Sequence, residues 1–214
     1  MLSLNEEQQL IERLIAGDES AFVDVVRGYH TSMCKLASIF VGDPAKAEEV
    51  VQEVWLVVIA DLHKFQGRSS LKTWLWRILV NKAKSRATRE ARQIPWSPQD
   101  LSAHQSPDAY RFSEKGCWSA PPAMWGLTPE DTLIQSRLLD IVRDTIKVLP
   151  SLQGIVLTMR DVQGFSASET CELLEITPSH HRVVLHRARA AVREAIDLHY
   201  SQGQANLQAQ EVRS

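Results

Sequence analysis

The sequence predicts an all-α protein: two small helical domains, an N-terminal bundle and a C-terminal four-helix domain with a helix-turn-helix, joined by a linker containing proline and tryptophan. Three observations carry this. Apolar residues recur at helical spacing along most of the chain, and no segment sustains the period-two alternation of a strand. Between residues 93 and 128, Pro95, Pro98, Pro107, Pro121 and Pro122 interrupt any helix. A chain of 214 residues can build one large domain or two small ones.

The elements follow in order. Ser3 and Glu6 have capping-box spacing, opening a helix over about residues 5–16 that Gly17 ends. Asp18 starts a second helix whose apolar face is Phe22, Val25, Val26, Tyr29, Met33, Leu36 and Phe40, with Gly42 as its stop. Asp43-Pro44 is a start signal, and Ala47, Val50, Val51, Val54, Trp55, Val58 and Ile59 are expected as the buried stripe of a third helix. After Gly67-Arg68-Ser69-Ser70, a fourth helix runs from Leu71 to about Ala91 with Trp74, Leu75, Ile78 and Leu79 inward. The first domain is therefore residues 1–92 and the linker 93–131. Trp96, Trp118 and Trp125 fall in the linker, so part of it is expected to dock on a surface. The second domain spans 132–200, with helices over residues 133–148 and 151–161 before the helix-turn-helix, and 201–214 reads as a flexible tail.

The helix-turn-helix is the clearest functional signal. Ser166 and Glu169 form a second capping-box pattern, and Thr177 with Pro178 opens the next helix. That helix carries Arg182, Arg187, Arg189 and Arg193, as a helix entering the DNA major groove would. Taken alone, this stretch fits a free-standing regulator whose first domain senses a ligand or partner.

Charge is unevenly spread under a formal net charge of −2. Residues 1–63 are mainly acidic, with Arg13, Arg27, Lys35 and Lys46 their only lysines and arginines. Residues 64–92 are basic, with Glu90 their only acid. Such a block can neutralise phosphates, or it can be a solvated helix face. No apolar run reaches the ~18 residues of a membrane span, and the N-terminus has no signal-peptide pattern, so a cytoplasmic protein without membrane insertion is expected. Cys34, Cys117 and Cys171 are too few and scattered for a disulfide framework or zinc site. Cys34 and Cys171 sit in helical apolar patterns and are expected to be inert, leaving Cys117 as the one candidate redox thiol. His180 and His181 are adjacent on a helix and diverge, which disfavours a metal pair. No paired carboxylates in an apolar setting, metal-ligand spacing or nucleophile motif appears, so neither catalysis nor a cofactor is expected.

The blocks Ala47-Glu48-Glu49-Val50-Val51-Gln52-Glu53-Val54-Trp55 and Arg68-Ser69-Ser70-Leu71-Lys72-Thr73-Trp74-Leu75-Trp76-Arg77-Ile78-Leu79-Val80-Asn81 resemble consecutive blocks of bacterial sigma factors. Leu149-Pro150, Gly164-Phe165-Ser166 and Leu185-His186-Arg187-Ala188-Arg189 resemble the family's C-terminal region. The whole resembles the two-domain extracytoplasmic-function subgroup of the sigma-70 family. The resemblance implies a specificity subunit of RNA polymerase that recognises and helps melt the −10 element through its first domain and reads the −35 element through its second. It implies core polymerase (the large-subunit clamp helices and the flap), promoter DNA and an anti-sigma protein as partners.

Residue by residue, it implies core binding by Glu48, Glu49, Gln52 and Glu53, whose spacing clusters them outside the apolar stripe. It implies −10 contacts by Phe65, Arg68, Ser69, Lys72, Trp76, Arg77, Asn81, Lys82, Lys84 and Arg86. Asn81 offers the donor and acceptor a flipped base needs, and Trp76 is expected to be better exposed than Trp74. It implies −35 contacts by Ser179, His180, Arg182, Val183, His186, Arg187 and Arg189, with Arg182 placed for a base edge and Arg187 and Arg189 for phosphates. Two positions depart from the family. Glu175 stands where the turn usually has glycine, and His181 stands where an apolar residue is common, so either the helix is rotated or His181 makes a contact of its own.

Overall fold

The structure, a computed structural model, describes residues 4–90 and 131–211, with side chains placed over residues 6–90 and 137–201. The expectations for Trp96, Trp118, Trp125 and Cys117 lie outside the described residues. Every element among the described residues is helical. They fall into two compact units, one of residues 4–90 with 158–176, the other of residues 131–157 with 177–211.

In the first unit α1 (Leu4–Ile15) is followed by α2 (Glu19–Val41), whose N-cap Asp18 accepts from the Ser20 and Ala21 amides at 2.9 and 3.2 Å. Those bonds satisfy two of the donors a helix start leaves orphaned. Hydrogen bonds from Ser20 and then Arg13 hold the Asp18 carboxyl down at about 2. Gly42 ends α2 with φ 70°, a left-handed turn in which glycine avoids the Cβ clash. Asp43 then caps α3 (Pro44–Asp61) through the Ala45 and Lys46 amides, with Pro44 where no amide is needed.

A single 3₁₀ turn, Leu62–Lys64, and a loop lead to α4 (Leu71–Glu90). Ser70 Oγ accepts from the Thr73 amide at 3.0 Å, and Glu7 of α1 accepts from the Leu71 amide at 2.7 Å. The core is shared by α2, α3 and α4: Met33, Leu36, Val50, Val51, Val54, Leu75, Leu79 and Val80 are all at most 1% exposed. Burying each of these side chains contributes roughly 1.5–3 kcal/mol.

Residues 158–176 complete this unit. A π-helical turn, Thr158–Val162, leads to α7 (Ala167–Leu174), which packs on α4. The Ser166–Glu169 capping box forms in both directions, at 3.1 and 2.8 Å.

In the second unit α8 (Pro178–Glu211) packs on α5 (Asp131–Val148) and α6 (Ser151–Leu157). Thr177 caps α8 by accepting from the His180 amide at 3.2 Å. His181, Val184, Leu185 and Ala188 form its buried stripe, at positions i, i+3, i+4 and i+7.

Two expectations are corrected. Trp76 is fully buried, against Tyr29 and Phe165 at centroid separations of 5.2 and 5.8 Å, whereas Trp74 is only half-buried. The α4 face that takes in Trp76 is covered from two sides, by α2 and by residues 158–176. Ile59 is 59% exposed because α3 has no neighbour on that edge among the described residues of its unit, and Leu56 beside it is 68% exposed. The backbone of α8 continues beyond Tyr200 to Glu211.

Candidate nucleic-acid and partner interface

Helix α3 carries the acidic row and α4 the basic one, and the two are stitched together. Arg86 reaches Glu49 at 2.7 Å, Glu53 at 3.8 Å and Glu90 at 2.7 Å. Lys82 reaches Glu53 at 3.3 Å, and Lys46 reaches Glu90 at 2.7 Å. Donating hydrogen bonds to Glu90 and then to Glu49 stabilises the Arg86 cation further. Gln52 stays exposed on this surface next to Leu56.

Glu48 is turned away from the rest of the row. It accepts from His30 Nε2 at 3.0 Å and from the Cys34 thiol at 3.1 Å, while the Trp55 indole N–H donates to His30 Nδ1 at 3.2 Å. These groups lie as close as metal ligands would, all within 4.8 Å of one another. The hydrogen-bond directions suit a proton network better. With Nδ1 accepting from Trp55, the neutral ring carries its proton on Nε2, whereas a metal-bound histidine commonly donates through its second nitrogen. Burial first, then the hydrogen bond and charge of Glu48, push the Cys34 thiol up to about 12, in keeping with an inert cysteine. Burial also raises Cys171, which is half-buried.

The bases expected to meet a single DNA strand occupy two faces of α4. Asn81, Lys82 and Arg86 line an open groove with Glu53 and Val57 of α3, so the Asn81 amide, which offers both donor and acceptor, sits in a charged trough. Lys72, Arg77 and Lys84 face residues 163–175 instead. Lys72 donates to the Gln163 carbonyl, Arg77 to Glu172, and Lys84 to the Leu174 carbonyl at 3.0 Å, with Glu175 at 3.4 Å. The loop before α4 has Gly67 at φ 66° and exposes Arg68. Phe65 is half-buried against Trp74, at 5.3 Å between centroids, and Ser69 is half-buried.

On α8, Ser179, Arg182, Val183 and His186 lie at i, i+3, i+4 and i+7, opposite the buried stripe. Ser179 and Arg182 are exposed, Val183 is 44% exposed, and His186 is half-buried. His180, Arg187 and Arg189 are half-buried at the flanks. Because His181 is 5% exposed and in phase with Val184, Leu185 and Ala188, it takes up the apolar position and the helix keeps the expected phase.

Comparison with known proteins places both segments. The Sigma-70 region 2 family matches residues 25–93, and the Sigma-70 region 4 family matches residues 139–192. The chain is 31% identical over 188 residues to the ECF RNA polymerase sigma-E factor of Escherichia coli K12, covering 87% of this chain and 92% of that one. It is 29% identical over 199 residues to the RNA polymerase sigma-H factor of Pseudomonas aeruginosa, covering 92% and 96%. Among solved structures, CnrH in complex with the cytosolic domain of CnrY is similar at a TM-score of 0.54 and 17% identity, over 90% of this chain and 97% of that one. The sigma factor RpoE in complex with the anti-sigma factor NepR from Bartonella quintana is similar at 0.54 and 19% identity, over 82% and 96%. At these identities the two structures support the fold alone.

Proposed function

We propose, from the premise that this chain belongs to the extracytoplasmic-function group of the sigma-70 family, a residue-level division of labour in promoter-directed transcription. The protein is an alternative sigma factor that directs transcription initiation. The carrying observation is that one chain holds a region 2 match and a region 4 match in order, which a free-standing helix-turn-helix regulator does not explain.

On α3, the exposed surface of Glu49, Gln52 and Glu53, extended by Leu56 and Ile59, binds core polymerase, with Glu48 behind it fixing α3 to α2. An acid-rimmed surface with an apolar centre suits a basic partner helix pair. Asn81, with Lys82 and Arg86, holds a base of the non-template strand, while Phe65, Arg68, Ser69, Lys72, Arg77 and Lys84 steer and hold its backbone. Trp76 is left out of this direct set because it is buried. On α8, Arg182 and Val183 reach base edges and Ser179 and His180 support them, whereas His186, Arg187 and Arg189 fix register on phosphates.

An anti-sigma protein is the expected regulator, as in the complex of RpoE with NepR. The family is not catalytic, so the role is binding and positioning. Among the described residues no helix is long and apolar enough to cross a membrane, and the work of a polymerase subunit places the chain in the cytoplasm.

Run-off transcription with core polymerase over a randomised promoter library tests the reading. Transcripts that select two spaced sequence boxes, and that need both protein and core, are expected. Tight operator binding without polymerase, with no transcript from any member, would instead identify a free-standing regulator.

A further inference from the structure

Helix α4 begins in a way that its own sequence does not complete. Ser70 accepts from the Thr73 amide through Oγ and from the Trp74 amide through its carbonyl, both at 3.0 Å. Neither bond serves the amide of Leu71, a residue only 2% exposed, where an unpaired N–H would be penalised. The first turn of α4 holds no acid and does hold Lys72, so nothing in it answers the positive end of the helix either. At α7 the acid of the cap is local, Glu169 three residues after Ser166, but at the corresponding position α4 has Thr73.

The missing acid comes from α1. Glu7 accepts from the Leu71 amide at 2.7 Å, across 64 residues of sequence. The same carboxylate faces Tyr29 of α2, whose hydroxyl is held above its ordinary pKa by burial first and by the Glu7 charge second. Helix α1 also packs on the 3₁₀ turn Leu62–Lys64, where Leu62 is 7% exposed and its carbonyl accepts from the Phe65 amide at 3.0 Å. Residues 65–70 therefore leave from one contact with α1 and return at another. This is the loop that has Gly67 at φ 66° and carries Phe65, Arg68 and Ser69.

We propose that α1 is a clasp on this loop and that Glu7 is a positioning residue for strand recognition: by capping α4 from across the chain, it sets where Phe65, Arg68 and Ser69 stand when the unpaired −10 strand arrives. Glu7 itself stays off the DNA, and its role rests on residues 65–70 being part of the −10-facing surface. A short loop tied at both ends has little conformational freedom left to lose when it meets a base. Untied, it fits mismatched bases at a smaller cost, so discrimination falls while the α3 surface for core polymerase is untouched.

Three variants of the full chain separate reach from charge. Glu7→Gln keeps an acceptor at the same reach without the charge, Glu7→Asp keeps the charge at shorter reach, and Glu7→Ala keeps neither. Amide exchange over residues 65–71, read by peptide mass spectrometry, should be about tenfold or more faster in Glu7→Ala and Glu7→Asp but within about threefold of the unaltered chain in Glu7→Gln. Holoenzymes made with each variant are then compared by run-off transcription on one promoter drawn from the randomised library and on its single-base −10 and −35 variants. Preference among the −10 variants should fall about threefold or more with Glu7→Ala and stay near that of the unaltered chain with Glu7→Gln. Preference among the −35 variants should not change. Unchanged exchange in Glu7→Ala, a uniform loss at every promoter, or Glu7→Asp matching the unaltered chain while Glu7→Gln matches Glu7→Ala overturns the clasp. Arg68→Ala with Ser69→Ala tests the reading beneath it. If that double variant keeps the full −10 preference, residues 65–70 are not what reads the strand, and the positioning role falls with that reading even where the exchange rates show the clasp.

Discussion

Glu175 shows how much one residue can reveal. A helix that ends in a left-handed residue normally uses glycine, and the helix-turn-helix keeps that geometry here with a glutamate at φ 59°. Glu175→Gly should therefore stabilise the first unit by up to about 1 kcal/mol, measured as a rise in chemical-denaturation midpoint at unchanged slope. A fall in midpoint would mean that the contact with Lys84 outweighs the strain. Cys34 gives a second test. Its pKa is raised from 9.0 to about 12, so it remains a thiol where an ordinary cysteine is half ionised. At pH 9 iodoacetamide should label Cys34 far more slowly than an unfolded-chain cysteine, and Glu48→Gln should speed labelling by removing the neighbouring charge. Peptide mass spectrometry separates it from Cys117 and Cys171. The sequence made an inert Cys34 legible through its place in an apolar pattern. It could not show that Glu48, Cys34, His30 and Trp55 form one hydrogen-bonded group, because Glu48 and Trp55 of α3 meet His30 and Cys34 of α2 across 14 to 25 residues, separations no local pattern records.

At the scale of elements, starts and stops were the most legible feature. Asp18, Asp43, Ser166 and Thr177 each cap the helix that their position in the sequence suggests, because capping is a local bond between residues two or three apart. Which face of a helix is buried was less legible. Trp74 and Trp76 lie two residues apart on α4, and helical spacing alone ranked them the wrong way round, since residues 158–176 cover Trp76 from far along the chain. His181 is the reverse case, a polar residue that the stripe of Val184, Leu185 and Ala188 holds in phase. The α3–α4 stitch also separates two residues that sequence treated as equals. Gln52→Ala should weaken core-polymerase binding with helicity and midpoint unchanged. Glu53→Ala should weaken binding too, but with a loss of stability of no more than about 1 kcal/mol as its exposed pairs with Lys82 and Arg86 go. Unaltered core affinity for Gln52→Ala, in a fluorescence-anisotropy titration, would remove α3 from the interface.

For the molecule as a whole, the net charge of −2 conceals where its charges are used. Arg86 and Lys82 are held by the acids of α3, and Lys72, Arg77 and Lys84 by residues 163–175, so the free chain already satisfies much of α4 with its own oxygens. Salt dependence counts phosphate contacts directly, because each one adds about 0.7 to the slope of log K against log salt for a single strand. Glu172→Gln with Glu175→Gln frees Arg77 and Lys84 of those carboxylates, so the slope for single-stranded DNA should steepen by up to about 1.4. Affinity should rise most at low salt and converge with that of the unaltered chain as salt increases. Parallel slopes would mean that neither base meets a phosphate.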